Sequence, residues 1–178
     1  AHHNFGETLR NEGNEVEAEK EFQKAIELLT HEVEQMGRPL LTGELATSLL
    51  RFAQLGHQTP EAVLRLVSRA LAFFQGANDE EDERLSYLTD EALLLRASAY
   101  KKLKSMGAAL DDVSRVVTRL EDSRWSDAAL ASGLITALLE RSALFSALDD
   151  SEAALLDLDR AWTIVEESES DTFGPEAE

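Results

Sequence analysis

Two stretches of the sequence decide the fold class, because they carry the same spacing of small and large side chains. Residues 18–25 read AEKEFQKA, and residues 154–162 read ALLDLDRAW. In each, a large apolar residue follows one alanine by four positions and precedes another by three, so all three share one helix face. Small residues let two helices approach closely, and large ones fill the space to the next pair. The pattern therefore predicts paired helices.

The same pattern recurs along the chain. Residues 62–70 (AVLRLVSRA) and 109–116 (ALDDVSRV) align with the two stretches above. The leading alanines of the four segments are 44, 47 and 45 residues apart. Self-similarity at a fixed period indicates a repeat protein whose units stack on their neighbours.

The rest of the chain is also typical of helices. Glycine and proline number only nine and three among 178 residues, and no stretch alternates with the period of a strand,. The sequence therefore predicts an all-α fold without a sheet. We predict eight helices, at roughly 3–12, 15–36, 40–56, 60–75, 83–104, 107–122, 127–147 and 150–168,.

Polar residues mark several of the predicted helix starts. A side-chain oxygen at the N-cap satisfies a free backbone N–H, and proline is tolerated in the first turn. We expect such starts at four pairs of residues: Asn14–Glu17, Thr59–Pro60, Ser126–Asp127 and Asp149–Glu152.

The repeat resembles the tetratricopeptide repeat, whose second helix has this small–large–small spacing. The best matches are Ala18/Phe22/Ala25 and Ala154/Leu158/Ala161, with Ala109/Val113/Val116 looser. Gly6, Leu9 and Gly13 occupy the glycine, aromatic and turn positions of the family's first helix. Ala97 with Tyr100 and Ser142 with Phe145 occupy the first two of those positions. The second segment departs from the pattern, with Leu50 and Ala53 in place of glycine and tyrosine.

The resemblance implies an α-solenoid of four antiparallel helical hairpins with a right-handed superhelix, over residues 4–168. The hairpins would span about 4–37, 40–76, 83–123 and 127–168. The period exceeds the family's usual length of about 34 residues. We attribute the difference to longer helices, because one apolar stripe continues past the usual end of a repeat: Phe22, Ala25, Leu29, Val33 and Met36.

Charge and composition narrow the function classes. The net charge of −18 opposes binding to nucleic acid and anionic membranes, and it favours a basic partner,. The absence of cysteine excludes disulfides and thiolate chemistry,. We expect no apolar run long enough to span a membrane, and a cytoplasmic location. Residues 1–3 look like an affinity-tag remnant, 79–83 like a charged loop or frayed helix start, and 169–178 like a disordered acidic tail,.

No catalytic, cofactor or metal motif is visible in the sequence. His31 and His57 stand apart from any nucleophile or metal-ligand spacing,. Two acidic pairs are expected on solvated helix faces, Asp111–Asp112 and Asp157–Asp159. Four aromatic residues at helical spacing are expected in the core, namely Phe22, Tyr100, Phe145 and Trp162. Trp125, off any stripe, is expected to anchor a loop.

In the family, the first helix of each hairpin lines a concave groove that binds peptides. Carried over by position, the resemblance implies groove residues on three predicted first helices: Glu44, Thr47, Arg51 and Gln54; then Glu91, Leu94, Leu95, Ser98, Lys101 and Lys102; then Thr136, Leu139, Glu140, Ala143 and Ala147. A one-residue frame error would instead turn some of these leucines toward the neighbouring hairpin.

The residues that line the predicted groove suggest which peptides the groove would bind. Family adaptors that grip acidic chaperone tails use lysine, asparagine and arginine at positions that here hold His3, Glu7, Leu94, Ser98, Leu139 and Ala143. Without those donors a carboxylate would be costly to bury. We therefore expect a non-enzymatic scaffold that binds an apolar, basic peptide or protein. The alternative is a self-associating structural subunit of an oligomer.

Overall fold

The computed structural model describes residues 2–76, 83–122 and 128–172. Helix makes up 88% of it and these ranges contain no strand, which confirms the all-α class. They hold eight α-helices: α1 (His2–Asn11), α2 (Glu15–Thr30), α3 (Thr42–Ala53), α4 (Pro60–Gly76), α5 (Glu83–Lys102), α6 (Met106–Asp122), α7 (Ala128–Ala147) and α8 (Ser151–Thr172). α8 runs four residues past its predicted end. Trp125, Ser126–Asp127 and Asp79–Asp82 lie outside the described residues.

The helices form two compact units, Ala1–Ala99 and Tyr100–Glu178. In unit 1, α1 packs on α2, α2 on α3 and α3 on α4. In unit 2, α6 packs on α7 and α7 on α8. Within each unit, therefore, helices that follow one another in the sequence are also neighbours in space.

One type of turn recurs after the first helix of each predicted hairpin. The turn residues Gly13, Gly56, Lys104 and Asp149 all have positive φ, at 77°, 78°, 59° and 62°. In three of the turns the next N–H donates to the carbonyl five residues back, with N···O distances of 2.8–2.9 Å, in Asn14–Leu9, Ser105–Tyr100 and Asp150–Phe145. This bond satisfies a free carbonyl at a helix end.

The turn at Gly56 is longer than the other three. α3 ends at Ala53 and α4 begins at Pro60, whereas three residues separate the helices elsewhere, at 12–14, 103–105 and 148–150. This longer turn accounts for the departure of the second segment from the pattern at Leu50 and Ala53.

The predicted N-caps are correct only in part. Asn14 is the N-cap of α2, as predicted, but it makes no side-chain capping bond. Asp149 lies in the turn, and the cap of α8 is Asp150, whose Oδ1 accepts from the N–H of Ala153 at 3.1 Å. The predicted cap at Thr59 is confirmed, because its Oγ1 accepts from the N–H of Ala62 at 3.3 Å. The capping motif identified the right turns but misplaced the α8 cap by one residue.

The second predicted helix changes character before its end. After Thr30 it continues as a π-helical turn, His31–Gln35, in which the Met36 N–H donates to the His31 carbonyl at 3.2 Å. A π-turn rotates the side chains that follow it, because each turn holds an extra residue. The predicted apolar stripe therefore fails at its end: Phe22 and Ala25 are buried, Leu29 and Val33 are half-buried, and Met36 is exposed.

The close approach of α1 and α2 depends on Gly6. A Cβ added at Gly6 would lie 3.1 Å from three atoms of the Phe22 ring, which is fully buried. Leu9, Ala18 and Leu55 complete this cluster. The small and large residues noted in the sequence therefore do face each other across the first pair of helices.

α7 is the central helix of unit 2. It packs against both α6 and α8, and it buries Leu134, Leu138 and Leu144. Its window Leu130–Ala147 has a mean hydropathy of 1.2 with 28% of it buried, so in length and composition it could cross a membrane. This corrects the expectation that no such run exists. Core helices pass the same test, and α7 carries Glu140 and Arg141, which are both ion-paired within the unit.

Candidate protein-interaction site

A polar network joins the first helices of unit 1. The Arg51 guanidinium donates to both carboxylate oxygens of Glu91 at 2.8 Å, and Gln54 Nε2 donates to Glu91 at 2.9 Å. Arg10 donates to Gln54 at 3.3 Å and to Glu7 at 2.9 Å. The residues come from α1, α3 and α5. The positive charges of Arg10 and Arg51 balance the negative charges of Glu7 and Glu91. Arg51, Gln54 and Glu91, carried over as ligand contacts, are thus hydrogen-bonded to one another.

His3 lies half-buried beside this network. Its ring packs edge-on against Phe22 with centroids 5.8 Å apart, and Nδ1 lies 3.0 Å from Ser48 Oγ. The Ser48 hydroxyl donates its one proton to the Glu44 carbonyl at 2.8 Å, so His3 Nδ1 is the donor to Ser48,. His2, next to it, lies 2.6 Å from Glu21 of α2. Both histidines are thus part of helix α1 and its contacts, although the sequence suggested a tag remnant.

The pKa of His3 reflects its surroundings. Burial lowers the pKa below the ordinary histidine value,. The carboxylates of Glu7 and Glu44 act in the opposite direction, whereas the Arg51 charge lowers it further. His3 therefore favours the neutral form more than an exposed histidine would.

A cavity of about 360 Å³ opens next to His3 in unit 1. Its lining is drawn mainly from three first helices, with both charge signs and two leucines: His3 and Asn4 of α1; Gly43, Glu44 and Thr47 of α3; Phe74 of α4; Arg84, Leu85 and Leu88 of α5. Glu44 and Thr47 were both predicted from the resemblance to face a ligand. The cavity thus brings together Glu44, Thr47 and the clamp position His3 with six residues that the sequence did not single out.

In unit 2 the α7 residues that were predicted to face a ligand are mostly exposed to solvent. Thr136, Ala143 and Ala147 are exposed, and Leu139 is 48% exposed. Glu140 of the same helix is half-buried and accepts a hydrogen bond from Lys101 Nζ. Lys102, at the end of α5, is exposed, whereas the predicted α5 residues that belong to unit 1, Leu94, Leu95 and Ser98, are half-buried. The two oppositely charged residues predicted to face a ligand here are therefore paired with each other.

The expected solvated acids are in part buried, which corrects the sequence interpretation. Asp157 is 5% exposed and accepts from Arg141 Nε at 2.7 Å and Nη2 at 2.6 Å, and Asp112 is also buried. These hydrogen bonds hold the pKa of Arg141 above its usual value, against the effect of burial. Only Asp111 and Asp159 are exposed as predicted.

A sequence signal for these buried acids existed. Asp112 and Asp157 each lie three positions after the leading alanine of their segment, and Glu21 lies three positions after Ala18. That position shares the face of the alanines. Glu21 is half-buried, and the hydrogen bonds from Lys24 and His2 lower its pKa. An acid three positions after the leading alanine in three segments thus indicates a position that faces the rest of the protein.

Among the aromatic residues expected in the core, Trp162 is an error. It is 63% exposed, whereas Phe22 is fully buried and Tyr100 and Phe145 are half-buried. Leu155 and Leu158 on the same helix are exposed as well. The apolar stripe is present on α8, but the helix exposes this part of it to solvent.

The described ranges show no group of three histidine, aspartate or glutamate side chains that could hold a metal ion. No family model matches the sequence, and no curated protein matches it either. The interpretation of its function therefore depends on the surfaces described above.

Proposed function

We propose that the chain is a tetratricopeptide-like α-solenoid of four hairpins over residues 4–168, acting as a non-enzymatic protein-interaction scaffold. Three observations support the repeat. A positive-φ turn follows each predicted first helix at Gly13, Gly56, Lys104 and Asp149. Gly6 touches the Phe22 ring as the small and large positions require. The leading alanines Ala18, Ala109 and Ala154 are all buried.

The observation that carries the binding function is the cavity in unit 1. First helices supply most of its lining, and it combines Leu85 and Leu88 with the charged groups of Glu44 and Arg84. Polar and apolar residues contribute about equally to the lining, so the cavity suits a ligand that carries both kinds of side chain. The occupant that fits is a peptide segment with an apolar side chain next to a basic one, because the chain as a whole carries a charge of −18,.

Because of the polar network, we assign peptide contact to other residues than Arg51 and Glu91. Arg51 and Glu91 neutralise each other, so a ligand would have to break charge-assisted hydrogen bonds to use them,. Glu44 and Thr47 lie outside this network and line the neighbouring cavity. We therefore assign the network to holding α1, α3 and α5 in place, and we assign peptide contact to the cavity residues Glu44 and Thr47.

Phage-displayed random dodecapeptides, selected at low salt, test the proposal. Peptides that bind should be apolar and basic, and a Thr47→Trp variant should bind them about tenfold more weakly, equivalent to about 1.4 kcal/mol, because the indole fills the cavity. Gln23→Trp is the matched control, since Gln23 is exposed on α2 and does not line the cavity. Circular dichroism would verify that both variants fold. Selection of acidic peptides, or equal binding by both variants, would contradict the proposal.

A further inference from the structure

α8 presents an unusual apolar surface. Leu155 and Leu158 are 61% and 42% exposed, and Trp162 is 63% exposed. Their spacing of three and four residues places them in one row along the helix. The opposite face of α8 is well packed, with Ala154, Ala161 and Ile164 buried. The three residues, hereafter the α8 row, thus form an apolar strip beside a helix that is otherwise anchored in unit 2.

The polar residues next to the α8 row are acidic. Asp159 follows Leu155 by four positions, and Glu166 follows Trp162 by four, so each lies beside the row on the helix surface,. Both acids are exposed. The basic residue of this stretch, Arg160, lies 3.9 Å from the Glu121 carboxylate of α6. The strip therefore has an acidic border, and its nearest arginine is directed to another helix.

This combination specifies the chemistry of an occupant. We propose that the α8 row binds an amphipathic helix of a partner protein, with apolar residues at the same three- and four-residue spacing and lysine or arginine on the flanks. Apolar contact would cover Leu155, Leu158 and Trp162, and basic side chains would meet Asp159 and Glu166. This surface is separate from the cavity in unit 1, so it goes beyond the proposed function.

A second copy of the chain fits the row less well. Two α8 rows placed face to face would bring Asp159 and Glu166 of both copies together. Like charges juxtaposed across an interface are costly and suppress such pairings. The net charge of −18 adds repulsion at longer range,.

A pair of designed peptides tests the proposal. Each has 18 residues and leucines at the spacing of the α8 row; one carries lysines on both flanks and the other glutamates. In a Trp125→Phe background, Trp162 is the sole tryptophan, because the chain contains two. The lysine peptide should shift the Trp162 emission to the blue as the indole leaves water, and its affinity should fall about tenfold between low and high salt. The glutamate peptide should cause no shift.

Two variants locate the binding. Leu158→Asp should abolish the blue shift, whereas Leu40→Asp changes another solvent-exposed leucine, in unit 1, and should preserve it. Thr47→Phe, which fills the cavity without adding a tryptophan, should also preserve it, and this separates the surface from the cavity. Equal binding of both peptides, or no binding of the lysine peptide, would overturn the proposal. So would a blue shift that grows with protein concentration alone, since that would identify a second copy as the occupant.

Discussion

Arg141 of α7 and Asp157 of α8 form a two-pronged ion pair inside the last helical hairpin, with N···O distances of 2.7 and 2.6 Å. The side chains are 20% and 7% exposed. A pair removed this far from water is strongly coupled, because either charge alone would be left poorly solvated. The pair therefore joins α7 to α8 at a point where the sequence suggested a solvated acid.

Replacing Asp157 with alanine should lower the free energy of unfolding by about 3 kcal/mol, because it strands the Arg141 guanidinium. Urea denaturation measures the change. Asp159→Ala is the matched control on the same helix and should stay within about 0.5 kcal/mol, since Asp159 is exposed,. An Arg141→Met/Asp157→Leu double variant should recover most of the loss, because no charge remains buried. Equal effects of the two single variants would show that the pair does not form.

Gly6→Ala and Gly133→Ala should change stability in opposite directions. At Gly6 the added methyl would lie 3.1 Å from the Phe22 ring, so overpacking should outweigh the gain in helix propensity and cost about 1 kcal/mol,. At Gly133 the nearest atom, on Leu120, would be 3.8 Å away, so alanine should stabilise α7 by up to about 1 kcal/mol,. Thermal denaturation measures both. Stabilisation by Gly6→Ala would contradict the close approach of α1 and α2.

Glycine at the turn positions of the last two hairpins should stabilise the protein. Lys104 has φ of 59°, a conformation that costs a residue with a Cβ about 1–2 kcal/mol, whereas the added chain entropy of glycine costs about 0.5–1 kcal/mol,. Lys104→Gly should therefore gain about 0.5–1 kcal/mol. Asp149→Gly should gain less, because aspartate tolerates positive φ better. Lys102→Gly, in the last turn of α5, should destabilise and serves as the control,. A loss of stability in Lys104→Gly would refute the turn geometry.

Stability should fall at mildly acidic pH through His3. Because burial lowers its pKa in the folded state, the unfolded chain takes up the proton first as the pH falls below the ordinary histidine pKa of 6.5,. The stability lost should continue to grow until the pH reaches the lowered folded pKa, and none should be lost above the unfolded value. A His3→Gln variant should show a shallower loss between pH 7.5 and pH 5 in thermal melts. His31→Gln is the control, since His31 is exposed. Identical slopes in wild type and His3→Gln would contradict the buried position of His3.

Local patterns predicted much of the fold but less of the site. The helix spans and the buried alanines follow from spacing and turn chemistry, which act within a few residues. The ion pairs of Asp157 and Arg51 cannot be predicted from local patterns, because their partners are 16 and 40 residues away. A carboxylate on a helix looks solvated until the guanidinium opposite it is known. The exposure of Trp162 could not be predicted either, because an apolar row looks the same whether or not a neighbour covers it.

The hydrogen bonds between helices join residues that are 45 or fewer positions apart in the sequence, and this short separation affects how the chain folds. The His3–Ser48 bond spans 45 residues, Arg51–Glu91 spans 40, Lys101–Glu140 spans 39 and Arg141–Asp157 spans 16. Each bond can therefore form once at most 45 further residues have been synthesised. Contacts of short sequence separation close at low entropic cost and speed folding. The N-terminal hairpins can acquire their final contacts during synthesis, while the C-terminal ones are still being translated.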